Sequence, residues 1–202
     1  MQKSDGFTPV RVATPRDLEA IVSTVSSAFL TDPLWAPMFP EAERRAAQMT
    51  ALWRLLAGSA LRYPWTVVTD QVESAAVWLP PGSTELTDEE SAGFEEFLMD
   101  LVGEAGAAAI VRLTEQFDAV RPEEPHYYLS LLATHDAHRG RGLGMNLLRE
   151  NLSRIDALGA AAHLESSNPA NDARYASVGF ERSGEFVAET GAVVTTMWRP
   201  AR

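Results

Sequence analysis

The chain has 202 residues, 28 acidic against 17 basic, a net charge of -11 and no cysteine. This balance disfavours sequence-independent binding to nucleic acid or anionic membrane and suits a cationic small molecule such as an amine. The missing cysteines exclude disulfides, thiolate metal sites and a cysteine nucleophile, and the four histidines lack a helical metal-binding spacing, so no metal is expected. The length favours one domain, 1–202, and without a long apolar run or a secretory leader the expectation is a cytoplasmic protein.

In chain order, "FTPVRVAT" (7–14) reads as a strand. "TPRDLEAIVSTVSSAFL" reads as a helix capped by Thr14, with Pro15 in its first turn and an apolar stripe from Leu18 to Phe29. Pro33 and Pro37 break "TDPLWAPMFP", and a second helix follows from Glu41 to about Arg62. "WTVVTD" (65–70) and "ESAAVWLP" (73–80) are spaced as a hairpin. Helical pattern resumes from Asp88 to Val120, interrupted at 103–106 and therefore expected as two helices.

"HYYLSLLAT" (126–134) is the continuous apolar run of a strand covered on both faces. A helix starts near Gly142, with Leu143, Leu147, Leu148, Leu152, Ile155 and Leu158 on one stripe. Next come a strand "AAHLESS", a short helix "NDARYASV" and two closing strands, "FERSGEFVA" and "AVVTTMWRP". The order predicts an α/β protein, with a mixed sheet built around a strand, helix, strand unit.

Between that central strand and the following helix lies "HRGRGLG", with glycines at 140, 142 and 144. Helix N-termini carry unpartnered N–H groups and a positive dipole end, and glycines let a phosphate reach the main chain. Arg139 and Arg141 add charge. The run lacks the Gly-Lys-Ser/Thr ending of a nucleotide-hydrolysing P-loop and departs from the GxGxxG spacing.

The run does match an Arg/Gln-x-x-Gly-x-Gly/Ala signature, as Arg139-Gly140-Arg141-Gly142-Leu143-Gly144, and "SNPANDARYASVGF" places Tyr175 ahead of Gly179-Phe180. With both motifs in order, the chain resembles the GNAT superfamily of acyl-CoA-dependent N-acyltransferases. "AAVWLPP", "RPEEPHYYL", "RGRGLG" and "HLESSNPANDARYASVGF" look most like the puromycin N-acetyltransferase type of small-molecule acetyltransferase. The resemblance implies a central mixed sheet of six to seven strands flanked by helices, with a splay between the two central parallel strands. It also implies acetyl-CoA as co-substrate and a small-molecule primary amine, possibly antibiotic-like, as acceptor.

Carried over by position, Arg139, Gly140, Arg141, Gly142, Leu143 and Gly144 would hold the diphosphate. The backbone of Leu132, Ala133 and Thr134 would pair with the pantetheine arm. Asn168 and Asn171 are both candidates for the family's cofactor-side asparagine. The family often has a proline shortly before the arginine, where this chain has "HDAH".

Tyr175 is the expected general acid toward the leaving thiolate, and Glu165, in an otherwise apolar strand, the expected general base. Phe29, Asp32 and Trp35, with His126 and Tyr128 on the central strand, are expected to line the acceptor site. Direct transfer in a ternary complex follows from the lack of any cysteine to carry the acyl group. The alternatives are acetylation of a protein N-terminus or lysine, and a catalytically silent CoA-binding sensor. No nucleic-acid or membrane partner is expected, and the chain would be a monomer or homodimer.

Overall fold

The computed structural model describes residues 9–202. Its elements are β1 (Val10–Val12), α1 (Leu18–Phe29), α2 (Ala42–Ala60), β2 (Val67–Thr69), β3 (Ser74–Leu79), α3 (Asp88–Val120), β4 (His126–Thr134), α4 (Leu143–Asp156), β5 (Ala161–Ser166), α5 (Asp172–Ala176), β6 (Glu181–Val187) and β7 (Val193–Arg199). Positions 7 and 8 of the predicted first strand lie outside the described residues. A 3-10 turn over Pro15–Asp17 precedes α1, and the Asp17 carboxylate accepts from both the N–H and the hydroxyl of Thr14.

The expected pair of helices between 88 and 120 is present as the two helical halves of α3, which meet at Gly103. There φ is 74° and ψ 171°, non-helical angles that glycine alone adopts without strain, so one helix ends and a second follows. Thr87 starts α3 with a capping box: its hydroxyl accepts from Glu90 N–H, and the Glu90 carboxylate accepts from Thr87 N–H.

Seven strands form one mixed sheet in the order β1-β2-β3-β4-β5-β7-β6. Only β4 and β5 are parallel neighbours, and they pair over three positions: His126 with Ala161, Tyr127 with Ala162, Tyr128 with His163. From there β4 keeps only β3, and β5 only β7. The splay begins beside a β-bulge. Val77 pairs with Leu131 and Trp78 with Leu129, so Ser130 is an extra residue that bends β4.

An extra residue also reverses which way later side chains face. Tyr128, Leu131 and Ala133 therefore share one core with Trp53, Phe39, Leu98 and Leu113 from the side of α1, α2 and α3. Tyr127 and Leu129 share the other with Leu147, Leu148, Leu152 and Ile155 of α4. Trp78 is fully buried in that second core.

Candidate active site

One cavity of about 830 Å³ opens in the splay and runs from the N-terminus of α4 to the α2 and α3 side. At its α4 end, Gly140 and Gly142 have φ of 78° and 75°, and a Cβ on either would meet nothing within 4 Å. Gly142 is the N-cap of α4, and the N–H groups of Leu143, Gly144 and Met145 have no backbone acceptor among the described residues. Open space over two glycines, facing unpartnered N–H groups at a positive helix end, fits a diphosphate.

The arginines of the motif serve the loop itself. Arg139 donates to the Ala28 carbonyl at 2.8 Å and pairs with Asp136 at 2.7 Å, tying the loop to the end of α1. Arg141 meets His138 Nδ1 at 2.9 Å and does not line the cavity. Asp136 N–H adds a bond to Ser27 Oγ. Arg139 also lines the cavity, so the loop presents main-chain donors and one guanidinium there, while Arg141 is turned to His138.

Leu132, Ala133 and Thr134 line the next stretch. Their ladder partners are Ala76, Ala75 and Ser74 of β3, which leaves the β5 side of this strand an open edge. Such an edge accepts an extended amide-bearing chain by main-chain pairing.

Tyr175 stands on α5 at the cavity wall, its ring edge-on to Phe180 at 6.3 Å. Burial, followed by the charges of Asp172 and Asp32, pushes its phenol up to about 12, so it is protonated at neutral pH. Asn168 and Asn171 both line the cavity and both have local partners. Asn168 Oδ1 accepts from Ala170 N–H at 3.1 Å, and Asn171 Oδ1 from Arg174 at 3.0 Å.

At the far end stand Phe29, Asp32, Trp35, Tyr128 and Glu165, all on the wall. Asp32 is heavily engaged: Oδ1 accepts from the N–H groups of Leu34 and Trp35, and Oδ2 from Ser167 Oγ at 2.8 Å. It fastens the proline-broken segment after α1 to the end of β5. Glu165 Oε1 lies 2.8 Å from His163 Nε2, with both side chains almost wholly buried.

His126 does not line the cavity, contrary to the expectation drawn from its place two residues before Tyr128. It lies where β4 and β5 are still paired, below the splay. Its Nδ1 meets the Glu124 carbonyl at 2.6 Å, and burial keeps the ring below its ordinary pKa.

Sequence reasoning missed Glu85, Asp118, Arg121 and Ser130, all on the same wall. Ser130 Oγ donates to Glu85 at 2.6 Å, and burial raises the Glu85 carboxyl. The Arg121 guanidinium covers the Tyr128 ring at 4.2 Å and stands 3.6 Å from Asp118. Glu85 sits in the irregular stretch after β3, and Asp118 and Arg121 where α3 ends, positions for which no periodicity signals a shared site. Among the described residues no group of three or more His, Asp or Glu is placed to hold a metal ion, and no helix is long and apolar enough to cross a membrane.

A seven-stranded mixed sheet that splays at its parallel pair, with a glycine loop at the following helix, is the GNAT fold, and the class of protein is an N-acetyltransferase. Residues 104–199 match the family model of the acetyltransferase (GNAT) domain. Solved structures share the fold over nearly the whole chain. Histone acetyltransferase HPA2 and related acetyltransferase from Corynebacterium glutamicum is 24% identical, with a TM-score of 0.72 and 96% of each chain covered. Drosophila melanogaster polyamine N-acetyltransferase is 16% identical (TM-score 0.61; 95% of this chain and 99% of that one). An agmatine N-acetyltransferase is 17% identical (TM-score 0.61; 95% and 98%).

Proposed function

We propose that this protein transfers the acetyl group of acetyl-CoA to a primary amine of a small molecule, directly and in a ternary complex. The observation that carries the reading is the single cavity, which joins a diphosphate cradle, an open strand edge, a protonated tyrosine and an aromatic, carboxylate-rich end. Names of two structural relatives, agmatine and polyamine N-acetyltransferases, are in keeping with a small amine. The four-segment likeness to the puromycin type favours the same branch.

Bound acetyl-CoA supplies an activated thioester. Gly140, Gly142 and the N–H groups of Leu143, Gly144 and Met145 hold its diphosphate, and the free edge of β4 aligns its arm. Trp35 and Phe29 cover the apolar part of the acceptor, and Glu85 receives its positive charge. Glu165 removes one proton from the acceptor ammonium, which makes the nitrogen nucleophilic. Tyr175 gives its proton to the departing sulfur and regains one from the nitrogen as the amide forms. Two protons thus leave the ammonium: one ends on the thiol and the other goes to solvent through Glu165.

The deciding measurement is free-thiol release from acetyl-CoA across a panel of small amines, aminated antibiotics and peptides. Stimulation by small amines is expected. If peptides alone are acetylated the acceptor class is wrong, and if nothing is acetylated while CoA raises the melting temperature the protein is a CoA-binding sensor.

A further inference from the structure

His163 is a buried histidine that the reading of the sequence gave no role. It stands two residues before Glu165 on β5, and two-residue alternation puts both side chains on one face. Its side chain is fully enclosed, yet Nε2 lies 2.8 Å from Glu165 Oε1. Its Nδ1 is buried with no hydrogen-bond partner among the described residues. An imidazole with a carboxylate on one nitrogen and nothing on the other carries its hydrogen on the carboxylate side.

The ring is clamped in place. Tyr128 stacks on it at 6.0 Å and 24°, and His126 meets it edge-on at 5.4 Å. Glu165 is therefore reached from the cavity on one side and from a rigid imidazole on the other. A side chain held in this way has little freedom to rotate from its working position.

We propose that His163 is a positioning residue for Glu165: its Nε2–H fixes the carboxylate toward the acceptor nitrogen. The inference rests on the acetyl-transfer reading above. During turnover, one acceptor N–H bond breaks and the proton joins Glu165, while the hydrogen on His163 Nε2 stays where it is; the proton then leaves Glu165 for solvent. A lone glutamate on this strand would be free to turn toward Arg121 instead.

Other charges share this environment. Facing the pair are His126 and Tyr128 from β4, Glu85 from the segment after β3, and Asp118 and Arg121 from the end of α3. Burial, then the Glu165 and Glu85 carboxylates, keeps the Tyr128 phenol neutral. Tyr128 also shares a side-chain hydrogen bond with Glu165, beside the 2.8 Å contact from His163.

The test uses the full chain and an amine that the wild type acetylates, so failure of the acetyl-transfer reading shows first, as an inactive wild type. His163→Leu removes the donor and His163→Gln keeps an amide donor near the same place. In the Leu variant kcat is expected to fall roughly 10- to 100-fold, with acetyl-CoA affinity unchanged. The Gln variant is expected to restore most of the rate, which a merely space-filling role for the ring would not predict.

Should His163→Leu not fold, His163→Ala takes its place, read against Glu165→Gln and the double variant of His163→Ala with Glu165→Gln. Working as a unit, the pair predicts that the double variant is little slower than Glu165→Gln. A folded Leu variant with kcat within about twofold of wild type, a Gln variant no faster than the Leu variant, or costs that simply multiply in the double variant, would overturn the proposal.

Discussion

The Thr134 hydroxyl lies 3.0 Å from where a Cβ on Gly144 would stand, so the first turn of α4 rests directly against the end of β4. Gly142, two residues earlier, has open space beside it instead. The two glycines are therefore required for different reasons: one for close packing, the other for backbone conformation and for the approach of an anion. Gly144→Val is expected to unfold more easily, by about 1–3 kcal/mol, because the strand must give way. Gly142→Glu is expected to lose about 1–2 kcal/mol from the strained φ of 75° and to abolish acetyl-CoA binding. Urea unfolding and calorimetric titration with acetyl-CoA separate the two; retained binding in Gly142→Glu would refute the cradle.

Tyr175→Phe keeps the ring against Phe180 and removes only the acid. Turnover is expected to drop roughly 10²-fold with little change in acetyl-CoA affinity. A second consequence concerns alkaline pH. The folded-state pKa is raised to about 12, so the unfolded chain loses this proton first, near pH ~10. Stability is thus fully present below about pH 10 and falls as pH rises toward the folded value. Replacing the phenol is expected to flatten that fall in unfolding experiments at pH 9 to 11 (order-of-magnitude window). Unchanged turnover would remove the acid role.

Much of this was legible because the cues are local. A glycine run at a helix start, a continuous apolar strand and a Thr14 cap each act over a few residues, and each appears where the pattern puts it. The break at Gly103 was legible too, because a glycine-marked interruption of the helical pattern falls where the two helices meet. The β-bulge at Ser130 has no sequence signature at all, and it decides which side chains of β4 look toward the acceptor end. For the same reason His126 was misjudged: alternation gives its face, while only the pairing register shows that the strands have not yet parted there. One of the three donors to Asp32, Ser167 just after β5, comes from far along the chain and leaves no mark in "TDPLW".

Glu85, at the acceptor end, accepts a hydrogen bond from a neutral hydroxyl, that of Ser130 at 2.6 Å, with the Arg121 cation also acting on it. Burial raises its pKa, so a cation placed beside it gains more than one beside a solvated carboxylate. Glu85→Gln is expected to raise KM for the amine roughly tenfold, a loss of about 1.4 kcal/mol, with acetyl-CoA affinity unaltered. Steady-state kinetics with each substrate varied in turn give the answer. An unchanged amine KM would show that the acceptor's charge is met elsewhere in the cavity.

Far from the cavity, Asp156 at the end of α4 grips Arg199 of β7 with both oxygens, at 2.5 and 2.8 Å. Arg199 is almost wholly buried, and its Nε also donates to the Val178 carbonyl, so one guanidinium joins α4, β7 and the turn that follows α5. Removing the carboxylate strands a buried cation, a change that costs ~3–5 kcal/mol when both partners are enclosed. Asp156 keeps 32% of its side chain in water, so Asp156→Asn is expected to cost less, about 2 kcal/mol at pH 7. The hydrogen bond from Arg199 lowers the folded-state pKa of Asp156, hence its contribution is present above the unfolded value near pH ~4. It disappears as pH falls through the folded value, and the wild type and variant should converge in acid. Denaturant unfolding at pH 7 and again near pH ~2.5 checks both halves, and a gap that persists in acid would mean that the loss comes from packing rather than from charge.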